Sequence, residues 1–188
     1  MRPQRKARRR SHSSVISRRR NAATRDAAAL ECQGTSDSEH RVIRRRVDVT
    51  IAHDLPEIDG LQSMIKRAIR ETLQHERVSD AQISVALVDD AHILQLNEQY
   101  LRQKRPTDVI SFQLHARDET PVGDIYIGVE QARRQATELG IPLRQELQRL
   151  AVHGTLHVLG YDHPEGSGRQ RSAMWRRQEA ILQRLISG

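Results

Sequence analysis

At 188 residues the chain is long enough for one domain with a sizeable core. Its net charge of +7 sits at one end: the first 20 residues hold nine Lys or Arg and no acid, and the rest carries 22 basic against 24 acidic side chains. No apolar run approaches the roughly 20 residues of a membrane-spanning helix, and with Cys32 as the sole cysteine an internal disulfide and a thiolate metal cluster are both excluded.

Residues 1–44 have few large apolar side chains and no sustained period, so they are expected to form a disordered basic leader. Such a tail suits weak, salt-sensitive contact with nucleic acid. A solvated extension with no such role has the same composition. The leader is rich in Arg and contains Ser, a faint likeness to an organellar transit peptide, and it lacks the apolar centre of a secretory signal. A single thiol is compatible with a reducing compartment, and the expected location is cytoplasmic.

The globular domain is expected over residues 45–188. Val47, Val49 and Ile51 alternate with Asp48 and Thr50, the period of a half-buried strand. Pro56 and Gly60 punctuate the turn into a helix whose stripe is Leu61, Met64, Ile65, Ala68, Ile69 and Leu73. A second strand places Ile83, Val85 and Leu87 on one face, and Asp89 or Asp90 can cap the helix that brings Ile93, Leu94, Asn97 and Tyr100 together. A basic connector, Arg102-Gln103-Lys104-Arg105, closes at Pro106.

Residues 107–114 read as a strand with Ile110, Phe112 and Leu114 on one face, residues 115–122 as a loop, and 124–129 as a further strand with Ile125, Ile127 and Val129 inward. A short loop between those two strands favours an antiparallel pair, while the strand-helix-strand at the start favours a parallel one. A helix over 130–140 ends at Gly140, and Pro142 opens the next, with the stripe Leu143, Leu147, Leu150, Gly154 and Val158. The last helix, about 169–186, carries Met174, Ala180, Ile181, Leu185 and Ile186. The fold class is therefore α+β: one domain, with a mixed sheet of about four strands packed by helices.

Chemistry concentrates in residues 153–163, His-Gly-Thr-Leu-His-Val-Leu-Gly-Tyr-Asp-His. His153 and His157 are four apart, on one face of a helix. Gly160 can end that helix in a left-handed conformation and let the reversed chain bring His163 to the same point. Three neutral imidazoles with a fourth position for water are the pattern of a catalytic zinc site. By the 100° turn per residue, His153 and His157 lie roughly 40–60° from the apolar stripe, at a solvent-reachable edge of the buried face. Asp162, Glu165 and Asp124 are candidates for a general base, and Asp162 could instead orient a ligand imidazole. Ni, Cu or Fe would also accept such ligands.

The spacing is also that of the metzincin peptidases, which carry a Glu base directly after the first His. Here that position is Gly154. Met174 could lie beneath the metal as in those enzymes, or be ordinary core. A metallopeptidase and a ribosome-assembly protein with a structural metal therefore stand as alternatives to a metal-dependent nuclease.

The eleven-residue stretch resembles the His-Gly-x-Leu-His-Leu-x-Gly-Tyr-Asp-His signature of the YbeY family of endoribonucleases and rRNA maturation factors. Leu96-Asn97-Glu98-Gln99-Tyr100, Pro106 through Phe112 and Gly123-Asp124-Ile125 are similar to its other blocks, in the same order. The resemblance spans about residues 46–186 and extends to Glu179, where the family tends to place an acid. It implies a single-strand-specific, zinc-dependent endoribonuclease acting in rRNA maturation (16S rRNA 3′-end processing) and ribosome quality control, with one zinc per chain on His153, His157 and His163. Its implied partners are rRNA and ribosomal particles. The family commonly has an Arg directly after the Tyr that matches Tyr100; here Leu101 stands there, and Arg102 is a substitute shifted by one residue. Arg102, Lys104 and Arg105 are the densest cations near the motifs, suited to phosphate. Aromatics are too few for a base-stacking platform.

Overall fold

The computed structural model of the protein describes residues 13–17, 47–53, 58, 60–105, 107–164 and 166–187, with 13–17 and 166–167 described by backbone alone. The elements are β1 (Ser13–Ser17), β2 (Val47–His53), α1 (Gln62–His75), β3 (Ala81–Val88), α2 (Asp90–Leu101), β4 (Val109–Gln113), β5 (Val122–Gly128), α3 (Val129–Leu139), α4 (Leu143–Val158), a 3-10 segment (Gly166–Arg171) and α5 (Ala173–Ser187). The sheet order is β1-β4-β5-β3-β2.

β2, β3 and β5 run parallel, and β4 is antiparallel to β5, so the domain's four strands form the expected mixed sheet. The strand-helix-strand unit β2-α1-β3 accounts for the parallel pair, and the short 114–121 connection for the antiparallel one. β1 is an addition. It comes from the leader and lies parallel to the outer edge of β4, with Ser13 opposite Val109 and Ser17 opposite Gln113. The expectation of disorder across 1–44 therefore fails at those five residues. An open strand edge offers unmet N–H and C=O groups, and β1 satisfies those of β4. The rest of the leader with Cys32, the domain start at residue 45, and Pro56, Pro106 and Glu165 lie outside the described residues.

Alternation along the strands divides the apolar side chains between two faces. One face, with Ile83, Val85, Leu87, Val109, Ile125 and Ile127, meets α1, α3, α4 and α5 in the main core. The other carries Ile110 and Phe112 under α2, where Ile93 packs with Leu96, Tyr100 and Leu101. Tyr100 and Tyr126 each stand edge-on to Phe112. Asp89 is the cap of α2, its carboxylate accepting the His92 N–H at 2.7 Å.

The last helix differs from its expected form. It begins at Ala173, after the 3-10 segment, and its buried stripe is Met174, Gln178, Ile181 and Leu185. Ala180 is exposed and Ile186 is 68% exposed. Spacing of four, three and four residues keeps the stripe in register, whereas 180 and 186 fall off it. Met174 is ordinary core.

Candidate metal centre

Helix α4 is the spine of the site. It runs between α1 and α3, over β4 and β5, and under α5, so every side chain from Leu150 to Val158 is buried. His153 and His157 are each only 1% exposed, not at the solvent-reachable edge that the helical period alone suggested. The period places a residue relative to its own helix. It carries no information about α5, which closes over that edge.

Gly154 explains how α4 comes so close to the sheet. A Cβ there would lie 2.7 Å from Ile125 Cγ2 and 3.0 Å from Ser111 Oγ. Position 154 therefore faces the sheet in a space too small even for alanine without movement. A glutamate base cannot be accommodated there, so the peptidase reading is opposed on steric grounds.

The helix ends as a Schellman turn. Tyr161 N–H donates to Leu156 O at 3.0 Å and Gly160 N–H to His157 O at 2.9 Å, with Gly160 at φ +87°. The reversed chain then carries His163 back over the helix. Each imidazole is turned by its Nδ1. That of His153 donates to Gln178 Oε1 at 2.8 Å, that of His157 to the Tyr161 carbonyl at 2.8 Å, and that of His163 to the Pro164 carbonyl at 3.2 Å. Three Nε2 lone pairs are thereby aimed inward.

The Nε2 atom of His153 is 3.1 Å from that of His157 and 3.4 Å from that of His163. All three lie within 4.8 Å of one another. A tetrahedral ion with bonds of about 2.0–2.1 Å needs nitrogen separations of about 3.3–3.4 Å, which the two separations from His153 approach, and imidazole nitrogen is a donor that zinc accepts. Converging lone pairs repel one another, and a cation between them makes the arrangement favourable. Burial also keeps the rings neutral. It pushes the His153 pKa well below its ordinary value of 6.5, an effect reinforced by His157 and Arg169. It lowers His157 to about 4, aided by His163, and lowers His163 as well, aided by Arg169. A neutral imidazole is the form that ligates a metal.

The outer contacts anchor this cluster to distant parts of the chain. The Gln178 amide donates to Glu179 Oε1 at 3.3 Å, which leaves Gln178 Oε1 pointing at His153. Tyr161, whose carbonyl holds His157, donates its hydroxyl to Glu76 Oε2 at 2.6 Å at the end of α1. Arg177 lies 4.8 Å above the Tyr161 ring and 3.4 Å from Glu76 Oε1. Tyr161 is thus tied into the protein rather than displayed for a base.

The other anticipated residues are placed differently. Asp162 is exposed, and its Oδ1 accepts the His163 backbone N–H at 2.7 Å, so it shapes the turn instead of holding an imidazole. Asp124 alternates with Ile125, faces away from α4 and accepts the Ser84 hydroxyl at 2.6 Å. Arg102 is exposed at φ +56° where α2 ends, on the sheet face opposite α4, and none of the hydrogen bonds at the histidines involves it. Leu101 packs in the smaller core. Two residues not anticipated do reach the site: Gln178, and Arg169, whose Nη2 is 3.4 Å from His153 Nε2. The acid expected at Glu179 is one position from the actual partner. One residue is a 100° rotation on a helix.

A family model described as Endoribonuclease YbeY matches residues 48–186. A protein of that name from Persephonella marina is 35% identical over 146 residues, which cover 74% of this chain and 93% of its own. Another, from Moorella thermoacetica, is 43% identical over 141 residues, covering 69% and 89%. The solution structure of a Thermotoga maritima protein aligns with a TM-score of 0.55 at 27% identity, over 74% of this chain and 89% of that one.

Proposed function

The chain belongs to the endoribonuclease YbeY family, and on that footing we propose that it hydrolyses single-stranded stretches of RNA, with rRNA in maturing ribosomal particles as its substrate and one zinc ion as its cofactor. The observation that carries this reading is the convergence of the His153, His157 and His163 Nε2 atoms, each ring held from behind by a carbonyl oxygen. When bound, zinc supplies Lewis acidity toward a phosphoryl oxygen and toward water. The chain's own part is to keep three imidazoles neutral and fixed. Burial opposes their protonation, and Gln178 and the Tyr161 carbonyl select the tautomer that leaves Nε2 free to ligate.

Among the described residues no helix is long and apolar enough to cross a membrane. The reading places the protein with ribosomal particles in the cytoplasm, where the nine cations of residues 1–20 add salt-sensitive contact with RNA. Zinc-loaded protein incubated with a 16S-type rRNA fragment and with a casein-type substrate tests the activity. Cleavage within single-stranded RNA, lost in His153→Ala, is expected. Proteolysis without RNA cleavage overturns the reading. For the leader, removal of residues 1–40 should weaken RNA binding chiefly at low salt; an unchanged affinity there takes the leader out of the interface.

A further inference from the structure

The 3-10 segment Gly166–Arg171 brings one cation into the histidine cluster. Arg169 is partly buried, and its Nη2 donates toward His153 Nε2 at 3.4 Å. Its charge acts on all three histidines. The buried carboxylate of Asp108 is the main opposing charge. Asp108 is itself held by the Val109 N–H at 3.0 Å, the Thr107 hydroxyl at 3.2 Å and the Gln135 amide at 3.2 Å. This guanidinium therefore feels the Asp108 carboxylate and reaches the histidine cluster at His153 Nε2.

That placement is electrostatically uphill for a site that takes a dication. Ion and guanidinium together bring three positive charges. Among the described residues, the carboxylates whose charge acts on this cluster include Asp108 and the exposed Asp162, while Glu146 is paired with Arg149. An anion seated between the metal position and Arg169 would lower this repulsion. A guanidinium fork suits two oxygens of one phosphoryl group. The exposed basic connector offers no equivalent: the Arg105 guanidinium is engaged by Gln103 at 3.0 Å, and Lys104 lies 3.5 Å from Glu98, away from the histidines.

We propose that Arg169 binds a non-bridging oxygen of the scissile phosphodiester, taking the place beside the metal that the sequence offered to Arg102. This rests on the ribonuclease reading and adds the residue that holds the phosphate. Recognition at this contact is of phosphate, not of base, in keeping with the few exposed aromatics.

The test uses the full chain and compares wild type, Arg169→Gln and Arg169→Lys. Metal-free protein in EDTA is titrated with a fluorescent single-stranded oligoribonucleotide, and zinc content is measured separately. Arg169→Gln is expected to bind RNA about tenfold more weakly, with the salt slope reduced by about one phosphate contact, while still holding one zinc. Arg169→Lys, which keeps the charge and loses the fork, should fall between the two. Inorganic phosphate should compete with RNA in wild type and much less in Arg169→Gln. Equal RNA affinity in all three proteins overturns the proposal, as does tighter zinc binding in Arg169→Gln with RNA affinity unchanged. Should Arg169→Gln lose its fold, the Arg169→Lys comparison and the phosphate competition decide alone. A wild type that cuts no RNA with zinc present breaks the ribonuclease reading instead, a result distinct from either.

Discussion

His153 and His157 stand on a helix walled in on every side, whereas His163 stands on a turn with a half-exposed ring. The first two are positioned by the core. Their backbone is fixed by α4 against β4 and β5, and their rings by Gln178 of α5 and by a carbonyl anchored through Tyr161 to α1. His163 is positioned by local backbone: the left-handed Gly160, the Asp162 carboxylate on its own N–H, and the Pro164 carbonyl. A metal site assembled this way has two ligands that share the stability of the fold and one that can be perturbed almost independently of it. All three offer a donor nitrogen to a metal, but they are not equally necessary for the protein.

The largest effect expected from this difference is in single alanine variants of the metal-free protein. His153→Ala and His157→Ala each open a buried cavity and leave an acceptor without its donor, and should cost about 2–4 kcal/mol by chemical denaturation. His163→Ala should cost less than about 0.5 kcal/mol. Equal losses at all three positions break the comparison. Burial sets this cost: at a solvent-reachable edge His157→Ala would be nearly neutral for folding.

Acid probes the same asymmetry. The folded His157 pKa is depressed from 6.5 to about 4, so below pH 6.5 the unfolded chain takes up a proton that the folded one refuses. Stability of the metal-free protein is therefore unaffected by this group above pH 6.5 and falls as pH drops toward 4, by roughly 3 kcal/mol from His157 alone. In His157→Ala that part of the slope should vanish. A denaturant midpoint that is flat between pH 6.5 and 4.5 in wild type contradicts the burial of the pair.

Gly154→Ala sharpens the helix side of the contrast. Its methyl must displace Ile125 or Ser111, for a loss of about 1–3 kcal/mol, with α4 and both its histidines shifted away from the sheet. Zinc affinity should fall with stability, because the ligands move with the helix; a thermally weakened variant with unchanged zinc affinity counts against the coupling. A smaller change than at Gly154 is expected for Tyr161→Phe. It removes the hydroxyl bond to Glu76 but keeps the carbonyl that holds His157, at about 0.5–1.5 kcal/mol and with less than about a tenfold change in zinc affinity.

The same division separates what could be read from the chain from what could not. The i, i+4 histidines, the left-handed Gly160, the Asp89 cap and the strand alternation are local, set by a few adjacent residues, and each is found where the pattern puts it, except that Leu114 lies past the end of β4 and Val129 opens α3. The depth of His153 and His157 depends on α5 crossing α4, which no period encodes. Gln178 and Arg169 come to His153 from 25 and 16 residues away, through a 3-10 segment whose path has no signature in composition. A hint existed for Gln178: it falls on the stripe with Met174, Ile181 and Leu185, and a polar residue on an apolar stripe calls for a buried partner. Arg102 drew attention through its place in a motif, yet the folding of α2 onto the opposite sheet face takes it elsewhere. The leader's Ser13–Ser17 strand was hidden for a different reason. Its apolar content, Val15 and Ile16, is too small to register against so many arginines, and the pairing rests on backbone groups of β4.

The central claim is that these three imidazoles bind one zinc ion per chain. Zinc content of the purified protein and of His153→Ala, His157→Ala and His163→Ala, each measured after dialysis against a weak chelator, tests it most directly. One zinc per wild-type chain and close to none in every variant, including the well-folded His163→Ala, is the expected result. Full zinc occupancy in any one of the three contradicts it.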